Sequence, residues 1–128
     1  MSISRKILET KSLCQTICQT AENGITNTGI KILYFIDEYY GCTTQTLISK
    51  LGIKKTNLAK ETKKLENDGL IFSKKSNYNN RTIIYSLTQK GKATLNSYLE
   101  NLDKIFHEQD AFLENSLDEI LKYLNKKV

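Results

Sequence analysis

Lysine, threonine and asparagine recur through the middle of this 128-residue chain at spacings that gather them on one side of a helix. Place Leu58 at zero degrees and advance about 100° per residue. Leu65 and Thr62 then fall within roughly 40° of Leu58, on an inner face. Thr56, Lys60, Lys63 and Asn67 fall on the opposite side, with Lys64 and Asn57 beside them. Ammonium groups suit phosphates, and the amide of Asn57 matches the donor and acceptor that adenine presents in the major groove. Lys54 and Lys55 open the same helix. A second basic cluster follows in Lys74, Lys75, Asn77, Asn80 and Arg81, at the tip of a hairpin suited to phosphates or a minor groove. Thr44, at the start of the preceding helix, completes the candidate contact set.

The charge is unevenly distributed. Residues 49–92 hold eleven Lys and Arg against three Asp and Glu, a net of +8, while the other residues hold eight against eleven, a net of −3. A basic module between acidic segments places its charge where a polyanion would lie. A lysine-rich helix face alone is most often simply solvated. The ordered combination is more specific: helix, Leu51-Gly52 turn, basic helix, Gly69-Leu70-Ile71 and basic hairpin.

The elements that position these residues read as follows. Ile3, Ile7, Cys14, Ile17, Cys18 and Ala21 recur at helical spacing, predicting a helix over about residues 3–22 that ends at Asn23-Gly24. Asn27-Thr28 is read as the cap of a second helix, which stops near Tyr40-Gly41. Thr43 or Thr44 caps a third, ended by Gly52. The fourth runs from about Lys55 to Asp68 and ends at Gly69. Residues 70–75 and 82–87 read as two strands, with Ile83, Tyr85 and Leu87 on one face and a polar turn at residues 76–80. The tail is helical again. Ser116-Leu117-Asp118-Glu119 has the capping-box pattern, which predicts a break near residue 115.

The fold class expected is therefore mainly α. A three-helix core and a two-stranded wing form a winged helix-turn-helix over residues 26–91, with dimerisation helices in residues 1–25 and 92–128. The terminal helices carry more apolar surface than a small core covers, and a second copy of the chain is the simplest cover.

Composition excludes several classes. With 39% hydrophobic and 26% charged residues the chain is not disordered. No apolar run is long enough to span a bilayer, and no apolar segment follows Met1 to suggest a secretory signal. Three cysteines without a signal read as free thiols in a reducing cytoplasm. Cys14 and Cys18 lie one helical turn apart. They read as small apolar residues of a dimer core; a redox-active thiol there would need a depressed pKa, for which Lys11 is the nearby cation. Two thiols and the lone His107 are too few for a metal site. No nucleophile triad, phosphate-binding glycine loop or zinc-protease motif is present, so neither catalysis nor a cofactor is expected. Tyr39 and Tyr40 are candidate walls of a ligand pocket.

The run Thr46-Leu47-Ile48-Ser49-Lys50-Leu51-Gly52-Ile53, the run Leu65-Glu66-Asn67-Asp68-Gly69-Leu70-Ile71 and the closing stretch from Asn79 to Gly91 carry a family resemblance. Together they resemble the MarR (multiple antibiotic resistance regulator) family of winged helix-turn-helix repressors, over about residues 28–106. The Leu87-Thr88-Gln89-Lys90-Gly91 segment is the most particular part. The resemblance implies a homodimer joined through terminal helices, a pseudo-palindromic double-stranded DNA operator and a small-molecule effector that releases the DNA. The chain departs from the family pattern at four places, one of them the short link between the first helix and Ile30. Asn79 replaces the usual wing Asp, Lys54 replaces a capping Ser, and Glu61 and Thr62 stand at usually apolar positions. Two other uses of the same fold are a protein-interaction or assembly module, and a phage or plasmid replication or maintenance factor.

Overall fold

Six helices and one hairpin make up the computed structural model, which describes every residue except 1, 21–24, 79–80 and 107–109. In chain order they are α1 (Ile3–Thr20), α2 (Asn27–Glu38), α3 (Thr44–Leu51), α4 (Lys55–Asn67), β1 (Ile71–Lys75), β2 (Ile83–Leu87), α5 (Gln89–Ile105) and α6 (Asp110–Asn125). The expected Asn23-Gly24 terminator of α1 lies outside the described residues.

Helix α2 is the centre of the core. Ile30, Ile32, Leu33 and Ile36 recur at helical spacing and are buried against α3, α4, α5 and β2. Leu47, Leu58, Leu65, Leu70, Ile71, Tyr85, Leu95 and Tyr98 close around them. The cap of α2 is Thr26, not Asn27 or Thr28. Thr26 holds an extended backbone and its hydroxyl accepts from the amide of Gly29, whereas Asn27 and Thr28 are already helical. Thr43 caps α3 in the same way, accepting from Thr46.

The turn after α4 explains the Leu-Glu-x-x-Gly-Leu pattern. Gly69 adopts a left-handed conformation (φ 74°), so the amide of Gly69 reaches the carbonyl of Glu66 and the amide of Leu70 reaches that of Leu65, each at 3.0 Å. Leu65 and Leu70 are both buried, and their packing closes the motif.

The wing is an antiparallel ribbon pairing Ile71 with Leu87, Ser73 with Tyr85 and Lys75 with Ile83. Ile83, Tyr85 and Leu87 do share a face, but burial fades along it. Tyr85 is 8% exposed and Ile83 is 40% exposed, because the ribbon runs past the core toward its tip. A bridge between Thr43 and Ile84, with the amide of Tyr85 donating to the carbonyl of Cys42 at 2.8 Å, ties the wing to the start of α3.

The break in the tail falls between Ile105 and Asp110, not near residue 115. Ser116 and Glu119 sit inside the unbroken α6, where residues three apart are ordinary neighbours on one face and no new helix start is needed. Helices α1 and α6 leave large apolar side chains in solvent, among them Ile3, Leu8, Phe112, Leu117, Ile120 and Leu121. Among the described residues no helix is long and apolar enough to cross a membrane.

Candidate nucleic-acid interface

Helix α4 divides its faces as the angular spacing predicts. Leu58, Thr62 and Leu65 are buried. Lys54, Lys55, Thr56, Asn57, Lys60, Lys63, Lys64 and Asn67 are exposed. Thr62 stays inside at little cost because its hydroxyl donates to the carbonyls of Leu58 and Ala59, at 3.0 and 3.2 Å. Its usual apolar replacement is therefore unnecessary. Glu61, the other departure from the pattern, turns toward α2. Its carboxylate accepts from the hydroxyl of the capping residue Thr26 at 3.2 Å, where the positive end of the α2 dipole favours an anion. That contact draws the one carboxylate in the first half of α4 toward a helix end instead of leaving it among the lysines.

Lys54 occupies the N-cap of α4 with extended backbone and makes no side-chain cap. An ammonium cannot accept from amides, and Thr56 lies inside the helix rather than capping it. The amides at the start of this helix are consequently left for solvent or a ligand.

The wing adds Lys74, Lys75, Asn77 and Arg81, all exposed. Lys74 and Lys75 are successive strand residues, so they sit on opposite faces of the ribbon. Asn80 and the neighbouring Asn79 lie outside the described residues. Thr44 is half-buried, and its hydroxyl donates to the phenolic oxygen of Tyr85 at 3.4 Å.

Three cations of the +8 segment are used elsewhere. The Lys50 ammonium lies 5.0 Å from the ring centre of Tyr39. Lys90 donates to the carbonyl of Asp68 at 2.9 Å, and Lys92 pairs with Asp37 at 2.5 Å. The charge count alone gave no sign of this, since it depends on which neighbours the fold supplies.

A separate crevice opens between α1, α2, α3 and α5, bounded by Cys18, Ile30, Tyr34, Phe35, Leu51 and Tyr98. Tyr34 lines it, where the sequence pointed to Tyr39 or Tyr40. Tyr39 instead stacks near Phe35 and under Lys50, and Tyr40 is fully exposed beside a groove behind the wing. Burial, then Glu38, Tyr39 and Asp37, push the Tyr34 phenol above its ordinary range. Tyr98 closes one side by donating to the carbonyl of Cys18 at 3.4 Å. Cys14 is exposed and Cys18 half-buried. Among the described residues no three metal-ligating groups converge. His107 lies outside the described residues.

Residues 30–106 match the family profile described as a winged helix DNA-binding domain. The chain belongs to that winged helix DNA-binding family. The winged helix is also similar to solved structures across nearly its whole length. NadR in complex with 4-hydroxyphenylacetate superposes with a TM-score of 0.84 at 21% identity, over 99% of this chain and 92% of that one. Wild-type apo MarR from E. coli gives 0.79 at 17% identity, over 97% of each chain. A MarR transcriptional regulator from Methanosarcina mazei Go1 gives 0.77 at 20% identity, over 98% of each. None of the curated proteins matches the sequence. The fold is thus the MarR fold, and the winged helix within it is the DNA-binding part.

Proposed function

We propose that this chain is a homodimeric regulator of transcription, acting in the cytoplasm as a repressor at a pseudo-palindromic operator. The observation that carries this reading is the division of α4, with Leu58, Thr62 and Leu65 buried and Thr56, Asn57, Lys60, Lys63 and Lys64 exposed on the other side. In this reading α4 enters the major groove. Asn57 and Thr56 meet base edges, the lysines with Lys54 and Lys55 meet phosphates, and Lys74, Lys75, Asn77, Asn80 and Arg81 of the wing hold the flanking groove.

Residues 26–91 form the DNA-binding unit, and residues 1–25 and 92–128 form the dimer interface. The exposed apolar residues of α1 and α6 support the second part. A monomer gains nothing from holding Phe112 at 81% exposure and Leu8 at 66%, while a two-fold contact buries both helices. The crevice between α1 and α5 is the site for a small-molecule effector. Its aromatic walls and the nearby Lys31 suit a planar acid of the kind bound by NadR. Cys14 and Cys18 serve as packing residues of the dimer region.

The test is solution mass together with titration against random duplex DNA at two salt concentrations. A dimer of the 14.7 kDa chain is expected, with affinity falling steeply as salt rises. A monomer without salt-dependent binding defeats the proposal.

A further inference from the structure

Tyr85 belongs to the core, with its side chain almost wholly buried. It also lines a cleft between α4 and the wing, together with Thr44, Lys55, Lys63 and Ile83. The cleft lies between the two elements that the proposed function assigns to adjacent grooves. A duplex engaged by both must pass one strand's backbone between them, since neighbouring grooves are separated by a line of phosphates.

The chemistry of the cleft fits that passage. Thr44 donates its hydroxyl to the Tyr85 oxygen at 3.4 Å. The phenolic proton of Tyr85 then has no acceptor among the described residues and is available to a phosphate oxygen. Thr44 is the first residue of α3, where the helix dipole adds partial positive charge. Lys55 and Lys63 flank the cleft from α4, and Glu66 stands as the only carboxylate in its lining. The ring is held by burial, by the hydrogen bond from the Tyr85 backbone amide to the Cys42 carbonyl and by the Thr43–Ile84 bridge, so the hydroxyl is pre-positioned.

We infer that the Tyr85 hydroxyl, held by Thr44 between Lys55 and Lys63, donates a hydrogen bond to a backbone phosphate of the bound duplex. This rests on the DNA-binding reading and adds a contact that joins the reading helix to the wing. A phosphate contact carries no base information, so Tyr85 contributes affinity and register, not sequence preference.

The test compares wild type, Tyr85→Phe, Thr44→Val and Thr44→Ser on a duplex of random sequence at two salt concentrations, with thermal unfolding of each. Tyr85→Phe keeps the ring and loses only the hydroxyl. It is expected to weaken binding about fivefold to tenfold at both salts with no change of salt slope, because no charge is removed. Thr44→Val should lose affinity in the same way and Thr44→Ser should retain it. Lys55→Gln should instead lower the slope by about one unit. Wild-type affinity in both Tyr85→Phe and Thr44→Val, with wild type itself binding in a salt-dependent manner, overturns the inference and leaves the DNA-binding reading standing. Absence of salt-dependent binding by wild type overturns both.

Discussion

Gly91 lies so close to Leu70 that a β-carbon on it would stand 1.9 Å from the Leu70 carbonyl oxygen. Thr88 makes this approach possible. Its hydroxyl donates to the carbonyl of Gly69 at 2.6 Å and accepts from the amide of Gly91 at 3.0 Å, capping α5. The amide of Thr88 donates to the same Leu70 carbonyl at 3.1 Å. The Leu-Thr-x-Lys-Gly segment is therefore a joint that fixes α5 to the turn after α4.

Gly91→Ala should destabilise the fold by about 2–3 kcal/mol, because the nearest atom is backbone and cannot swing away. Denaturant unfolding reads this as a lower midpoint with unchanged slope. A loss under about half a kcal/mol would show that α5 shifts freely.

Lys54→Ser should act in two directions at once. A hydroxyl at the uncapped N-terminus of α4 should raise stability by about 0.5–1 kcal/mol. Loss of the ammonium should weaken DNA binding and reduce the salt slope by about one unit. Unfolding and duplex titration on the same sample check both halves.

Lys60 and Lys92 belong to one basic segment but should behave differently. Lys60→Ala should weaken binding to specific and random duplexes alike and lower the salt slope by about one unit. Lys92→Gln should leave the slope unchanged, because the Lys92 ammonium is already neutralised by the Asp37 carboxylate. Its stability cost should stay under about 1 kcal/mol for so exposed a pair. Equal slope changes in the two variants would refute this division of charge.

Asn57→Ala should relax sequence preference more than it weakens non-specific binding. Selection from a random DNA pool, run in parallel on wild type and variant, measures this. Identical selected sequences would remove Asn57 from base reading.

Cys42 is buried and should stay protected from alkylation until the chain unfolds. Burial pushes the Cys42 thiol up from its ordinary value of 9.0. A folded-state rise favours the protonated fold, so this contribution is fully present below pH 9.0 and is lost as pH rises through the folded value. Timed alkylation with mass detection, and unfolding measured on both sides of that pH, provide the checks.

Much of this molecule was legible in the residues themselves, because local geometry follows from local chemistry. Helical spacing placed Leu58, Thr62 and Leu65 opposite the lysines. Gly52 and Gly69 marked helix ends because each takes a left-handed backbone, and Asn57 and Lys60 faced outward for the same angular reason. Where several residues compete for one role, local reading was insufficient. Thr26, Asn27 and Thr28 are all capable caps, and the Ser116–Glu119 pattern suits either a helix start or a helix interior. In the folded chain Thr26 caps α2 and its hydroxyl also reaches Glu61 of α4, while Ser116 and Glu119 lie inside α6.

Tertiary structure alone decided which charges remain available. Asp37 and Lys92 are 55 residues apart, as are few partners that sequence spacing can foresee, and Glu61 finds Thr26 35 residues away. The same holds for Tyr85 and Thr44, 41 residues apart, whose hydroxyls meet at 3.4 Å. Periodicity assigns a side chain to a face, but the partner on that face is supplied by the folded chain. The sequence by itself determined a basic helix and a wing. Folding determined that Lys50, Lys90 and Lys92 are spent on internal contacts and that Lys54, Lys55, Lys60, Lys63 and Lys64 stay exposed on α4.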